Sequence, residues 1–286
     1  MNNILNFESI GESKKLFNQF LNGISNIVTN GEYDKFLRFS KNFKYSFNNI
    51  VLIYTQRPNA TKVAGEGTWR TLGRTVKKEE KDNPIEIMQP LQIEYCRKRK
   101  KKNTEIEIED EEKEEIEYTS YKSTKLYDIS QTEGDKVILK EEKQVYDNSN
   151  YMLELLKSYS PYRIIETNIF SWDSLWKPNE KTMYIAENYS DNAKAITIIQ
   201  YLIQATYIKG DYNLNRDLYD TFIESVTFAV ADYFNLDTSN FDFKNISYWV
   251  KGNTNVIIKL GEKIKKTAKD FIEDLESHSA NMSKVA

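Results

Sequence analysis

Apolar residues recur at helical spacing along much of the chain. Leu16, Phe17, Phe20, Leu21, Ile24 and Ile27 mark one face of a first amphipathic helix. Asn30-Gly31 interrupts it, and Tyr33, Phe36, Leu37 and Phe39 resume the period, so Glu12 to Asn42 predicts two helices. A more apolar helix follows over Asn48 to Thr55 and ends near Arg57-Pro58, because proline disfavours a helical residue before it. The glycine-punctuated stretch VAGEGTWRTLGRTVKK predicts a loop. Strands are expected at Ile85–Met88 and Tyr121–Ile129, with a turn at Thr132-Glu133-Gly134.

A second series begins near Asn148. It predicts a helix over Tyr151–Tyr159 and a strand over Tyr162–Thr167. The segment Trp172 to Trp176, a turn at Lys177-Pro178-Asn179 and a strand at Thr182–Ala186 come next. Three helices complete the chain: Asp191–Ile208, which must be buried on most sides, Arg216–Phe234, and one from about Asn255 to Leu275. The expected class is α+β, in two domains of 1–147 and 148–286.

Composition narrows the chemistry. With 40% hydrophobic residues, 286 residues can bury two cores. One cysteine, Cys96, excludes an intrachain disulfide. The one histidine, His278, falls in EDLESHSANMSKVA, which has the composition of a frayed end. No apolar run of about 18 residues appears and the polar start lacks a signal-peptide pattern, so a cytoplasmic protein without a membrane partner is expected. The net charge of -3 hides strong segregation. Arg97–Lys102 is wholly basic and Glu105–Glu117 strongly acidic, together an insert at about 96–118 that reads as a solvated linker or a charged hairpin.

Arg57, Lys62, Arg70, Arg74, Lys77 and Lys78 surround Trp69 and three glycines. Cations around an aromatic ring suit an unstacked base and its phosphate, although a basic loop around a core tryptophan gives the same composition. The order of residues adds weight to the first reading. Tyr45-Ser46-Phe47-Asn48-Asn49-Ile50-Val51-Leu52-Ile53, then Val63-Ala64-Gly65, Thr68-Trp69 and Leu72-Gly73-Arg74 resemble the N-terminal domain of ArdC-type antirestriction proteins. After the insert, Tyr127-Asp128-Ile129-Ser130-Gln131-Thr132-Glu133-Gly134 is similar to that family's "VFD-x-SQTEG" segment. The resemblance implies binding of single-stranded DNA, with Trp69, Arg70, Arg74, Lys77 and Lys78 as contacts. Asn48, Asn49 and Gln56 are further candidates, or caps of their helix. Where the family continues "KKGEKG", this chain reads Lys78-Glu79-Glu80-Lys81-Asp82, without the glycines.

The second half resembles the zinc-metallopeptidase domain of the same family. Asn235-Leu236-Asp237-Thr238-Ser239, Tyr248-Trp249-Val250-Lys251-Gly252 and Ile264-Lys265-Lys266-Thr267-Ala268 carry that likeness. A working site needs His-Glu-x-x-His on the buried helix, because the i,i+4 spacing aims both imidazoles at one zinc ion. Here Gln200-Tyr201-Leu202-Ile203-Gln204 stands at that position, and only Glu224, the presumed third ligand, remains. Carboxamides are poor zinc ligands, so no metal and no other cofactor is expected, and the domain reads as a pseudo-metallopeptidase. Gln200 and Gln204 are expected to hydrogen-bond each other, Glu224 or Tyr201.

The resemblance thus implies a non-catalytic accessory protein of a plasmid, phage or integrative element, with single-stranded DNA as partner. The competing reading is an inhibitor that docks on a host defence protein, through the acidic run or the degenerate domain.

Overall fold

The computed structural model describes residues 11–100, 111–137, 149–168, 174–207, 216–243, 246 and 254–285. Contacts divide the chain into two units, one of residues 1–23 and 51–135, the other of residues 24–50 and 136–286. This differs from the expected domains of 1–147 and 148–286 in two respects: residues 24–50 group with the second unit, and the later boundary falls after Asp135. Trp172 and the segment Tyr248–Gly252 lie outside the described residues.

Helices α1 (Gly11–Thr29), α2 (Tyr33–Ser40) and α3 (Phe47–Gln56) follow the apolar spacing read from the sequence. Gly31 adopts φ +69 at the break between the first two. In the first unit, strand β1 (Val63–Ala64) precedes a short helix α4 (Glu66–Thr71) and strand β2 (Arg74–Val76). The expected loop therefore contains a helix. Strands β3 (Ile85–Lys100) and β4 (Glu111–Asp128) form a long antiparallel hairpin, with β1 added in the order β1-β4-β3. The short β5 (Thr132–Gly134) pairs with β2.

The hairpin settles the backbone of the charged insert in part. Arg97 stands opposite Glu114, Arg99 opposite Glu112 and Lys100 opposite Glu111. In the same register Lys98 stands opposite Lys113, so the facing residues are of opposite sign at three of these positions and of like sign at one. Residues 101–110 of the insert lie outside the described residues.

At the β2–β5 ladder, Gly73 has φ +71 and Gly134 φ +127, and a Cβ on Gly134 would stand 2.3 Å from the Gly73 carbonyl oxygen. Both strain and collision oppose a side chain there. Gly134→Ala is therefore expected to destabilise the first unit by about 2 kcal/mol or more. A thermal melt checks this, and an unchanged midpoint would refute the reading.

In the second unit, α5 (Ser149–Tyr159) leads to a mixed sheet. Its strands are β6 (Arg163–Thr167), β7 (Ser174–Lys177) and β8 (Thr182–Ala186), with β8 central, parallel to β6 and antiparallel to β7. Helix α6 (Asp191–Leu202) is capped by Ser190, whose hydroxyl accepts from the Ala193 N–H, and passes into a π turn over Ile203–Tyr207. Helices α7 (Arg216–Tyr233) and α8 (Thr254–Val285) complete the core, in which Phe222, Phe228, Phe234 and Phe271 are fully buried. Lys194, on α6 and itself buried, binds Glu166 of β6 at 2.6 Å, and Glu166 also takes Lys157 of α5 at 2.9 Å. Asp232 at the end of α7 receives Arg38 and Lys41 from α2 and the residue after it.

The C-terminal helix corrects an expectation. It runs ten residues beyond Leu275, and His278 lies within it, 3.1 Å from the Ser158 hydroxyl and edge-on to Tyr159. The end does not fray because Phe271, Leu275 and Ser279 continue a buried face.

Candidate nucleic-acid interface and the glutamine pair

The family-like segment from Tyr127 to Gly134 folds into a clasp. Asp128 is 1% exposed, and its carboxylate accepts from the N–H groups of Thr61 (2.8 Å), Lys62 (3.0 Å) and Ser130 (2.9 Å) and from the Ser130 hydroxyl (2.6 Å). Burial pushes this carboxyl up, but those hydrogen bonds outweigh it and hold it below the usual aspartate value. Gln131 is fully buried. Its amide oxygen accepts from the Asp128 N–H, and its amide nitrogen donates to Glu80 (2.8 Å) and to the Asn83 carbonyl (2.7 Å). That bond to Gln131 is the main reason the Glu80 carboxyl is lowered, with Arg57 nearby as a further cause. The segment thus serves to join β1, β4 and the turn at Lys78–Glu80.

Trp69 belongs to the same core. Its side chain is 0% exposed and its indole N–H donates to the Tyr127 carbonyl at 2.9 Å. The stacking role expected for it is therefore corrected: this ring has no face open to a base, and it organises the unit from within. The six-residue α4 buries Trp69 alone and turns Arg70 outward.

The other candidates separate by what holds them. Arg74 lies across the β2–β5 ladder, donating to the Thr132 hydroxyl and carbonyl at 2.8 Å each and to the Gly134 and Asp135 carbonyls. Its guanidinium is occupied by the fold. Gln56 pairs with the backbone of Glu86 in both directions, at 2.8 and 2.9 Å, and so acts as one more rung beside β3. Asn49 is buried, and Asn48 is half-buried with its amide oxygen enclosed and unbonded. Both asparagines group with the second unit. Arg70 is exposed, 2.6 Å from the Glu66 carboxylate. Lys77 reaches the Ser130 carbonyl at 2.9 Å near the surface, and Lys78 is exposed. Of the eight candidates, Arg70, Lys77 and Lys78 remain accessible cations.

In the second unit Gln200 is exposed near the end of α6, whereas Gln204 falls in the π turn and is half-buried. The expected hydrogen bonds from this pair to each other, to Glu224 or to Tyr201 do not form among the described residues. The π turn gives a reason, since its wider winding breaks the i,i+4 alignment that an α-helix would give positions 200 and 204. Tyr201 instead donates to the Ser174 hydroxyl of β7 at 2.7 Å, its ring 6.4 Å from that of Trp176. Glu224 is half-buried, and burial first, then Asp242 and Asp220, push its carboxyl above the usual value. Among the described residues no group of three or more His, Cys, Asp or Glu side chains could hold a metal ion.

Fold and sites define an α+β protein of two units. One is a sheet-and-helix unit clasped by Asp128 and Gln131, the other a mixed sheet beside a buried helix that carries a glutamine pair. Residues 18–127 match the family model of the N-terminal domain of anti-restriction factor ArdC. The Mn(II)-bound crystal structure of antirestriction ArdC protein from the R388 plasmid is similar at TM-score 0.58 and 15% identity, over 93% of this chain and 98% of that one. Its metal-free crystal structure matches at TM-score 0.50 and 16% identity, over 83% and 86%. No curated protein matches the chain. Residues 18–127 are therefore similar to the ArdC N-terminal domain, and the chain has the fold of the R388 protein. No helix among the described residues is long and apolar enough to cross a membrane.

Proposed function

We propose that this ArdC-type chain is a non-catalytic antirestriction accessory protein of a mobile genetic element that binds single-stranded DNA. Its match to the ArdC N-terminal domain supports the binding role, and the exposed cations Arg70 and Lys78, with the half-buried Lys77 beside them, are the contacts we favour. The observation that carries the non-catalytic part is the sequence Gln200-Tyr201-Leu202-Ile203-Gln204 on α6 and its π turn, with the chain's one histidine away on α8. The R388 relative has a Mn(II)-bound form. Two carboxamides and one carboxylate are a weaker donor set for a zinc ion than imidazoles.

Fluorescence anisotropy with labelled oligonucleotides tests the proposal on the full chain. Single strands of unrelated sequence should bind alike at low salt, more tightly than duplex. Affinity should fall with a log–log salt slope of about -0.7 per phosphate neutralised. A Lys77→Glu/Lys78→Glu variant should bind about tenfold or more weakly at low salt with an unchanged melting midpoint. Elemental analysis of the same sample should find no stoichiometric metal. Absence of binding at low salt would remove the DNA-binding part, and stoichiometric zinc or manganese lost on Gln200→Ala would remove the non-catalytic part.

A further inference from the structure

Helices α5 and α8 of the second unit bring three side chains to one point at the surface. The Ser158 hydroxyl of α5 lies 3.1 Å from His278 Nε2 and 3.2 Å from Met282 Sδ, both on α8. The i,i+4 spacing of His278 and Met282 puts them on one face of that helix, one turn apart. They are the chain's one histidine and, among the described methionines, the one that is exposed: Met88, Met152 and Met183 are buried, whereas Met282 is 47% exposed. A nitrogen donor and a sulfur donor thus address the same oxygen, open to water on one side.

Hydrogen bonding accounts for only part of this arrangement. The Ser158 hydroxyl carries a single proton and has three acceptors in reach, the third being the Leu155 carbonyl at 2.8 Å. With the proton on that carbonyl, the closest of the three, the imidazole donates from Nε2 to the hydroxyl oxygen. The thioether has no proton to give and receives none. Its sulfur is held beside the imidazole without a bond that explains its place. The imidazole itself is well oriented, because the Tyr159 ring packs edge-to-face on it at 5.5 Å between centroids.

We propose that His278 Nε2 and Met282 Sδ form a binding site for a soft monovalent metal ion, Cu(I). Thioether sulfur is a soft donor that selects Cu(I), and imidazole suits copper as well. A closed-shell monovalent ion accepts a low coordination number, so one nitrogen and one sulfur suffice. Zinc takes a tetrahedral set of ligands, and among the described residues no group of three or more His, Cys, Asp or Glu side chains could supply one. Calcium and magnesium need oxygen ligands, which this pair does not offer. Binding at Nε2 sends the ring proton to Nδ1, the other tautomer of neutral imidazole, and leaves Ser158 its Leu155 carbonyl. An ion on two donors open to water exchanges readily, so the chain still leaves purification without stoichiometric metal. These donors are not the glutamine pair, and the two readings fail separately.

The probe is Ag(I), which shares the soft monovalent chemistry and stays redox-inert, added as the nitrate in chloride-free buffer. The protein is the full chain without a histidine tag and carrying Cys96→Ser, so that no thiol competes. Because His278 is the chain's one histidine, imidazole nitrogen resonances of histidine-labelled protein report on it without assignment. Ag(I) should shift the Nε2 resonance in a saturable one-to-one titration, and Zn(II) and Mn(II) should leave it in place. Met282→Leu, close to isosteric, should weaken Ag(I) about tenfold or more at the parent's melting midpoint, and His278→Ala should weaken it at least as much. Should His278→Ala fail to fold, Met282→Leu decides alone. Ser158→Ala keeps both donors and should bind within about threefold of the parent. Cu(I), supplied with ascorbate under nitrogen, should displace Ag(I). No Nε2 shift with Ag(I) overturns the proposal. So does an equal shift with Zn(II), a Met282→Leu variant that binds unchanged, loss of binding in Ser158→Ala, or Ag(I) that Cu(I) does not displace.

Discussion

Asp128→Ala is expected to cost the first unit about 3–5 kcal/mol and to lower its melting midpoint by on the order of 15 °C or more. The carboxylate is buried and accepts four hydrogen bonds, three of them from backbone N–H groups. Alanine leaves those N–H groups of Thr61, Lys62 and Ser130 without this acceptor. A hydrogen bond to a charged group contributes about 1.5–3 kcal/mol, and because the four share one partner their losses do not add in full. Asp128→Asn keeps the shape and one acceptor oxygen, so it should fall between parent and alanine.

The same carboxylate makes the unit sensitive to acid. Its folded-state value lies below that of an ordinary aspartate, since the hydrogen bonds from Ser130, Lys62 and Thr61 outweigh the opposing effect of burial. The stabilisation is therefore complete above the unfolded value, about 3.9, and is lost as pH falls through the depressed folded value. Glu80, lowered chiefly by the Gln131 amide, has the same sign. Melts by circular dichroism from pH 7 to pH 3 should show the parent losing stability at the acid end more steeply than Asp128→Ala. Equal midpoints at neutral pH and parallel acid limbs would contradict the clasp.

The motifs of the N-terminal unit were legible as a pattern before they were legible as chemistry. Gln131 and Gly134 stand in the family-like segment, but nothing in a linear sequence says that Gln131 faces inward to Glu80 and Asn83, or that Gly134 meets the Gly73 carbonyl. The helices α1, α2 and α3 were readable because one-sided burial imposes a 3.6-residue period. Helix α4 was not, since six residues with a glycine carry too little period, and its one buried residue is Trp69. The hairpin arm was one of two readings that the charged insert allowed. A basic run followed by an acidic run fits a solvated linker and a charged hairpin alike, and only the antiparallel register of β3 and β4 selects the hairpin. For Gln56 and Arg74 the residue type misled: both are common nucleic-acid contacts, and both are spent on backbone groups of their own unit. His278 was the reverse case, for its helical face is written in Phe271, Leu275 and Ser279, beneath a polar composition.

Trp69 separates the two roles a tryptophan among cations can have, and substitution should report them on different axes. Trp69→Ala removes a fully buried indole from the centre of the first unit and leaves the Tyr127 carbonyl without its donor. Large aromatic-to-alanine changes in cores cost about 3–5 kcal/mol, so this variant should be largely unfolded at temperatures where the parent is folded. Trp69→Phe keeps most of the ring volume, loses the hydrogen bond and opens a small void, for a cost of roughly 1–2 kcal/mol. A base stacked on an exposed ring would contribute about 1–3 kcal/mol to binding, and phenylalanine would retain only part of it. The enclosed ring has no such contribution to lose. Oligonucleotide affinity of Trp69→Phe, measured well below its melting midpoint, should therefore stay within about twofold of the parent while its midpoint falls. A tenfold weaker affinity at an unchanged midpoint would return Trp69 to the binding face. A lowered midpoint with intact affinity instead assigns the electrostatic part of binding to cations that the fold leaves at the surface, Arg70 and Lys78 with the half-buried Lys77, around a tryptophan that holds their scaffold in place.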